Sequence, residues 1–176
     1  MLIRPAKKDD IDGLLTLLHE VLEVHAKEYP KIFIPGTTKY SKEELLQLIE
    51  EDDKTLILVA EEDGKIIGHA FLKLLDSPET RNTYAARILY IDDICVDEEY
   101  RGRHVAKSLF EHVLEYAKKE GFDRIELNVW EKNESARGFY ESLSLKPESF
   151  WHIGSKVSSS FPIRYLHPSL PASGSR

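Results

Sequence analysis

Residues 94–106 combine a strand end, a basic turn and a helix start, an arrangement that can bind an anion. An apolar, β-branched run ends shortly before Arg101-Gly102-Arg103, and helical spacing of apolar residues begins after His104. The first turn of a helix leaves backbone amides without internal partners, and the helix dipole makes that end positive. A pyrophosphate is a natural ligand at such a position, and Arg101 and Arg103 add positive charge to it.

Two adjacent carboxylates lie just before this segment, in Tyr90-Ile91-Asp92-Asp93. An alkylamine has a pKa near 10.4, so its neutral, nucleophilic form costs roughly 4–5 kcal/mol at pH 7. A carboxylate beside the amine can accept the proton, directly or through water. Because side chains alternate along a strand, we expect Asp92 and Asp93 on opposite faces unless a bulge intervenes.

The elements that would position these groups follow one another without a repeat or an internal linker. Mixed strand and helix signals within one stretch of this length predict a single α/β (α+β) domain with a mixed sheet flanked by helices. The predicted order is a strand at Leu2–Pro5, a helix from Asp9 or Asp10 to before Pro30, a helix after the Ser41 capping box, strands at Thr55–Ala60, Lys65–Leu75 and about Ala85–Val96, a helix from near His104 to Gly121, a strand at Arg124–Trp130, a helix at Ser135–Leu143 and a weak strand near Phe150.

Composition narrows the class of protein. A formal net charge of −7 disfavours nucleic-acid binding and is compatible with a cationic substrate. No stretch approaches the ~18 apolar residues of a membrane span, and the start lacks the apolar run of a signal peptide, so we expect a cytoplasmic protein. Cys95 is the single cysteine, and the seven histidines show no metal-ligand spacing, so we expect neither a disulfide nor a metal.

Two motifs resemble the GNAT superfamily of N-acetyltransferases. The turn Arg101–Ala106 is similar to the signature Q/R-x-x-G-x-G/A that follows a strand in that family, and Asn133–Tyr140 matches N-x-x-A-x-x-F-Y. The resemblance extends in element order from Leu2 to about Pro147, and members that acetylate small amines or diamines are the most similar. It departs in two places, because His104 replaces the central Gly and Ser144 replaces a Gly after the last helix.

The resemblance implies a GNAT-like fold with a mostly antiparallel central sheet, and acetyl-CoA as co-substrate. Backbone groups of three strand residues would bind pantetheine, the amides of the turn and helix start would hold the pyrophosphate, and two residues of the second motif would line the cofactor arm. These positions are Ile94, Cys95 and Val96, then Arg101, Gly102, Arg103, His104, Val105, Ala106 and Lys107, and finally Asn133 and Ala136.

The same resemblance implies two catalytic residues. Asp92 stands where relatives with small-amine substrates carry an acid, and it would act as the base, with steering of the substrate or a structural role as alternatives. Tyr140 would protonate the departing thiolate. Asp93 is expected to be structural and Cys95 to pack. His19 and His25 lie near the end of helix one, where the family often builds its acceptor pocket, and we expect surface or core roles for them rather than a substrate role.

The predicted function is therefore that of an N-acetyltransferase, an acyltransferase that moves acetyl from acetyl-CoA to a small-molecule or peptide amine by direct attack in a ternary complex. A non-catalytic acyl-CoA-binding or sensing module on the same fold is the alternative, motivated by His104. Members of the family commonly dimerise, so a homodimer is compatible with the resemblance.

The end of the chain differs in composition. After Glu148 there is no Asp or Glu, whereas Ser and Pro are frequent. We expect residues 1–156 to form the acetyl-CoA-binding domain and 157–176 to form a Ser/Pro-rich, partly disordered tail.

Overall fold

The structure is a computed structural model that describes residues 1–130 and 132–143, and the backbone alone of 146–150 and 162–166. The helices are α1 (Ile11–Glu28), α2 (Lys42–Glu50), α3 (Val105–Glu120) and α4 (Glu134–Ser142). The strands are β1 (Leu2–Pro5), β2 (Thr55–Glu62), β3 (Lys65–Ser77), β4 (Ala86–Val96), β5 (Arg124–Trp130), β6 (Lys146–Phe150) and β7 (Pro162–Leu166).

Two compact units make up the chain. The first comprises Met1–Lys73 and Asp92–Tyr116, and the second comprises Leu74–Ile91 and Ala117–Arg176. Strands β3 and β4 and helix α3 each contribute residues to both units.

In the first unit, β2 pairs antiparallel with β1 and with β3. The β2–β3 turn has Asp63 and Gly64 at φ 51° and 80°, as a tight hairpin of this kind requires. One core cluster joins α1 and α2 to this sheet, because their apolar stripes pack against alternate residues of β2 and β3. Its buried members are Ile11, Leu14, Leu18, Leu45, Ile57, Val59 and Phe71.

Helix α3 approaches the sheet closely because β3 carries Gly68 at the contact. A Cβ atom at Gly68 would lie 3.0 Å from the Cys95 carbonyl oxygen, 3.2 Å from Leu109 Cδ1 and 3.3 Å from Val105 Cγ1. Glycine therefore lets the first turns of α3 settle directly on β3 and β4, and this fixes where the helix begins.

In the second unit, β4 and β5 pair in parallel, with Ile88 opposite Arg124 and Ile91 opposite Leu127. Strand β7 lies between β5 and β6 and is antiparallel to both. The mixed sheet with helices confirms the predicted α+β class. Among the described residues, no helix is both long and apolar enough to cross a membrane.

Most element predictions agree with the structure to within two residues. Two differences are informative: β7 was not predicted, and β6 begins at Lys146 rather than near Phe150. Strand β7 lies within the segment predicted as a tail, and the rest of that segment, like Trp151–Ile153 of the weak strand, lies outside the described residues. Partial disorder of the tail stays a prediction.

Candidate active site

Asp92 lies at the centre of a cluster of cations in the first unit. Its Oδ2 accepts a hydrogen bond from Lys39 Nζ at 2.6 Å, and its Oδ1 accepts one from Lys73 Nζ at 3.2 Å. The Tyr40 hydroxyl donates to Oδ2 at 3.3 Å. Because the Asp92 side chain is 12% exposed while those of Lys39 and Lys73 are 41% and 42% exposed, the carboxylate sits below two solvent-facing ammonium groups.

These partners decide the ionisation of Asp92. Burial raises its pKa, but the hydrogen bond from Lys39 and the charges of Lys39 and Lys73 outweigh burial, so the pKa lies below its usual value. Burial and the Asp92 charge together raise the pKa of Tyr40 above its usual value. At neutral pH the cluster therefore holds an ionised carboxylate and a neutral phenol.

Asp93 contacts a different partner on the same face of β3. Asp93 Oδ2 lies 2.9 Å from Nε2 of His69, whose side chain is fully buried and packs edge-on against Phe71. His69 and Lys73 are four residues apart on one strand, so both point to the same face. Asp93 thus reaches His69 and Asp92 reaches Lys73 on one face of β3, an arrangement that the stated exception to alternation, a bulge at this pair, would allow.

The second ring nitrogen of His69, Nδ1, is also a polar atom on this face of β3. This atom is buried and has no hydrogen-bond partner among the described residues. Asp93 is therefore engaged by a buried imidazole, and the contact is compatible with the structural role expected for it.

The turn before α3 has two residues in the left-handed region. Gly102 has φ 75° and His104 has φ 62°, and residues 101–104 are all exposed. The left-handed region is costly for a residue with a Cβ, which explains physically why the family signature has Gly where this chain has His104. Helix α3 begins at Val105, and the His104 carbonyl accepts from the Ser108 amide at 3.0 Å. His104 is therefore the residue that immediately precedes the helix.

A cation–aromatic stack braces this turn. Lys65 Nζ and Arg103 Cζ each lie over the Tyr100 ring, 4.9 Å from its centroid. Carboxylates anchor both cations, since Lys65 contacts Asp97 at 2.8 Å and Arg103 contacts Glu62 at 3.0 Å. The two cations are thereby held beside the helix start with much of each side chain in solvent.

Strand β4 leads directly into this turn. Its register with β5 covers Ile88–Ile91 and ends there, ahead of Ile94, Cys95 and Val96. Arg101 Nε donates to the Val96 carbonyl oxygen at 3.4 Å. Cys95 is buried with Sγ 3.8 Å from the Leu17 carbonyl oxygen, and burial raises the pKa of its thiol to about 12, which suits packing rather than nucleophilic chemistry.

The remaining predicted site residues lie in the second unit. Asn133 caps α4, because its side-chain oxygen accepts from the Ala136 amide at 3.0 Å. This bond gives the N-x-x-A spacing a structural role beside its expected role at the cofactor arm. Tyr140 is buried, at 7% exposure, and its ring meets Phe139 edge-on with centroids 5.1 Å apart.

The two histidines of α1 have ordinary surroundings. His25 stacks on Phe33 at 5.1 Å, and burial lowers its pKa. His19 is half exposed and lies 3.8 Å from Glu23. Neither contact assigns a substrate role to these histidines.

Four residues of the cluster escaped sequence reasoning: Lys39, Tyr40, His69 and Lys73. A signal existed for two of them, because His69 and Lys73 interrupt an otherwise apolar strand at a spacing that places them on one face. Lys39 and Tyr40 carry no such signal. Among the side chains described, no three of His, Cys, Asp or Glu gather as a metal site would need, and metal independence stays a prediction.

Comparison with known proteins gives a consistent result. The sequence model of the "Acetyltransferase (GNAT) family" matches residues 18–144. Human N-acetyltransferase 8B is 29% identical over 111 residues, 62% of this chain and 47% of that protein. An uncharacterized N-acetyltransferase of Methanocaldococcus jannaschii is 30% identical over 144 residues, 82% of this chain and 60% of that protein. The chain thus spans about half to three fifths of these two relatives.

A relative of similar length is the pig thialysine N-epsilon-acetyltransferase, 27% identical over 86% of this chain and 89% of that protein. Among solved structures, a tetramutant of a Bacillus halodurans protein aligns with TM-score 0.82 and 29% identity over 89% of this chain and all of its own. The PaiA N-acetyltransferase of Thermoplasma acidophilum, in complex with coenzyme A, has TM-score 0.71 and 22% identity over 94% of this chain and 98% of its own, and it shares the fold.

Proposed function

This chain belongs to the acetyltransferase (GNAT) family, and we propose that it transfers an acetyl group from acetyl-CoA to a primary amine by direct attack in a ternary complex. One observation carries the proposal: Asp92, on the strand that leads into the anion-binding turn, already holds the primary ammonium groups of Lys39 and Lys73. A carboxylate that binds two lysine ammonium groups can also bind the ammonium group of an acceptor.

The residues of the turn fit the phosphates of coenzyme A. Residues 101–104 are exposed, and a Cβ added at Gly102 would meet no atom within 4 Å, so the space above this backbone is open. The amides that begin α3 and the side chains of Arg101 and Arg103 would hold the pyrophosphate. Backbone groups of Ile94–Val96 would pair with the pantetheine arm, because β4 continues beyond its register with β5.

Acetyl-CoA supplies an activated acyl carbon with a thiol leaving group. What the chain must add is an oriented, neutral amine, a donor for the carbonyl oxygen as it gains charge, and a proton for the leaving thiolate. A backbone amide of β4 would donate to the oxygen, in keeping with the family.

Asp92 fits steering of the acceptor better than direct proton abstraction. A carboxylate whose pKa lies below 3.8 takes a proton from an alkylammonium only at a cost of about 9 kcal/mol or more. Loss of the proton to bulk solvent at pH 7 costs roughly 4–5 kcal/mol, which is less than a discrete transfer to Asp92. Among the roles considered for Asp92, its lowered pKa therefore supports steering.

Tyr140 would donate the proton that the thiolate needs. A free phenol has a pKa near 10 and a free thiol one near 8.5, so the transfer costs roughly 2 kcal/mol before any help from the site. Tyr140 is buried, at 7% exposure, and its ring packs edge-on against Phe139, which limits the positions its side chain can take.

The acceptor class follows from the charge at Asp92. A cationic small amine, such as a polyamine, an amino sugar or a lysine-like group, has the charge opposite to that of the Asp92 carboxylate. It could reach this carboxylate by displacing the exposed lysine side chains above it. The pig relative acts on the side-chain amine of thialysine, which supports this class, whereas a Bacillus subtilis relative, 24% identical, is a putative acetyltransferase of a ribosomal-protein alanine. Peptide amines are therefore included in the test.

A non-catalytic acyl-CoA-binding module is the second candidate. The observation that favours it is the occupation of Asp92 by two lysines of the chain itself, which compete with any acceptor. We also propose that the protein is cytoplasmic and forms a homodimer. Cell fractionation tests the location, and a mass measurement in solution tests the oligomeric state.

An amine panel separates the two candidates. Thiol release from acetyl-CoA is measured with polyamines, amino sugars, lysine analogues and peptides, and CoA binding is measured by calorimetry on the same protein. Turnover with at least one amine supports the transferase. CoA binding without turnover for every amine supports the binding module. Tyr140→Phe must lower kcat far more than it weakens CoA binding, and equal losses would remove its role as the acid.

A further inference from the structure

Lys39 is a primary amine of the chain itself at the carboxylate proposed to receive the acceptor. Its Nζ lies 2.6 Å from Asp92 Oδ2, and 41% of its side chain is exposed. We infer that Lys39 is a self-acetylation site, at which the chain transfers acetyl from acetyl-CoA to its own lysine side chain. This inference rests on the proposed acetyl transfer at Asp92.

The backbone around Lys39 is anchored on its C-terminal side. The Thr38 hydroxyl donates to the Tyr40 carbonyl oxygen at 2.7 Å, and the Tyr40 ring stacks on Phe71 with centroids 5.5 Å apart. Ser41 then caps α2, accepting from the Glu44 amide at 3.2 Å. These contacts deliver the Lys39 side chain to β4, so its amine is presented at the site rather than free in solvent.

Lys73 shares the carboxylate but is a poorer acceptor. It lies within β3 and is opposite Thr55 in the β2–β3 register, so strand pairing fixes its backbone. Lys39 lies between α1 and α2, outside any helix or strand. An amine must leave the carboxylate to attack an acyl carbon, and of the two lysines it is Lys39 whose backbone is free of strand pairing.

The reaction balances without another reactant. Lys39 loses one proton to become neutral, and its Nζ attacks the thioester carbonyl carbon. The N–C bond forms, the C–S bond breaks, the second proton leaves nitrogen, and the thiolate takes up a proton. The products are Nε-acetyl-lysine and the free thiol of coenzyme A. Since the product amide is uncharged, Asp92 keeps only Lys73 as an ammonium partner.

The full chain is incubated with acetyl-CoA that carries a ¹³C-labelled acetyl group, which separates new acetylation from any acquired during expression. Cleavage after glutamate releases residues 29–43, a peptide that contains Lys31, Lys39 and Lys42. Lys42 is a matched internal control, because its ammonium also pairs with a carboxylate, Asp12, at 2.8 Å but lies in exposed surroundings. Fragment-ion spectra then assign the label to one lysine of the three.

The expected result is labelling of Lys39 at least about tenfold faster than Lys31 or Lys42, because positioning raises the effective concentration of the reacting groups. The rate per molecule stays constant when the protein is diluted tenfold, and Lys39→Arg, which keeps the positive charge, removes the label from position 39. Heat-unfolded protein loses the preference for Lys39.

Thiol release with the amine panel is measured on the same samples. It separates failure of the self-acetylation inference from failure of the proposed transferase function. Turnover of an added amine with equal labelling of the three lysines overturns the inference and leaves the proposed function intact. Absence of turnover together with unlabelled Lys39 overturns both. Equal preference for Lys39 in native and unfolded protein shows chemical reactivity of the peptide and also overturns the inference.

Discussion

Asp92 Oδ2 and Lys39 Nζ lie 2.6 Å apart although the two residues are 53 positions apart in sequence. The contact joins strand β4 to the segment between α1 and α2. It gives an acidic residue of the predicted site a cationic partner that the motifs do not indicate. The charge of the chain's own lysine therefore sets both the ionisation of Asp92 and its availability to an acceptor.

Removal of the Lys39 charge is expected to raise the pKa of Asp92. In Lys39→Met the carboxylate stays buried, which raises its pKa. It also loses its shortest hydrogen bond and one of its two ammonium partners, both of which lower the pKa in the native chain. Carboxyl ¹³C shifts followed through an acid titration measure this pKa directly. The matched variant Lys42→Met removes a salt bridge to Asp12 and should leave Asp92 unchanged.

The same contact contributes to stability with a defined sign. The folded-state pKa of Asp92 lies below its ordinary value of 3.8, so its ion pairs stabilise the fold at neutral pH. That contribution is lost as the pH falls through the folded-state pKa. Lys39→Met should therefore flatten the acid side of the stability curve, and a steeper loss of stability below pH 4 would contradict this assignment.

His104→Gly is expected to stabilise the chain and to tighten CoA binding. The left-handed φ of 62° costs a residue with a Cβ about 1–2 kcal/mol, of which the greater freedom of glycine in the unfolded chain offsets roughly 0.5–1 kcal/mol. Without the side chain the backbone can also approach phosphate more closely. Denaturant unfolding and calorimetry measure the two effects.

Gly102→Ala is the matched change in the opposite direction. Gly102 has φ 75° and a Cβ there meets nothing within 4 Å, so any loss comes from backbone conformation alone and should be roughly 0.5–1 kcal/mol after the same unfolded-state offset. Weaker CoA binding in His104→Gly would mean that the imidazole donates a hydrogen bond to the ligand.

Asn133→Ala is expected to destabilise the second unit by about 0.5–2 kcal/mol, because α4 loses the cap to the Ala136 amide. Asn133→Asp retains an oxygen acceptor at the cap and should restore most of this stability. Thermal unfolding measures both variants, and CoA affinity is measured beside it. If Asn133→Asp restores stability but not CoA affinity, the amide of Asn133 has a role at the cofactor besides capping.

Gly68→Ala is expected to destabilise the chain by about 1–3 kcal/mol through overpacking and to weaken CoA binding. The new methyl group would lie 3.0 Å from a backbone oxygen, which cannot yield, and would push against the first turns of α3. Gly138→Ala, on the open side of α4, is the control and should stabilise by roughly 0.5–1 kcal/mol. Unfolding midpoints and CoA titrations distinguish the two, and unchanged CoA affinity in Gly68→Ala would refute the link to the helix start.

Local signals predicted most of the elements because their causes are local. The Ser41 capping box, the Asp63-Gly64 turn and Gly121 at φ 70° each act within a few residues. Strand β7 escaped prediction because it has only five residues, begins with a proline and follows a Ser-rich run, so that its pairing with β5 and β6 is what identifies it as a strand. The partners of Asp92 and Asp93 escaped for a similar reason, because Lys39, Lys73 and His69 are distant from them in sequence.

The sequence by itself determined the family, the position of the proposed anion-binding turn and the residue types of the proposed chemistry, because these depend on motifs of fewer than ten residues and on the order of elements. Tertiary structure alone decided what those residues contact. Lys39 and Lys73 surround Asp92, His69 engages Asp93, and Gly68 seats α3, and each of these relationships joins residues far apart in the chain. Ionisation and access depend on such long-range contacts, because burial and neighbouring charge set the pKa of a carboxylate and no local pattern encodes either.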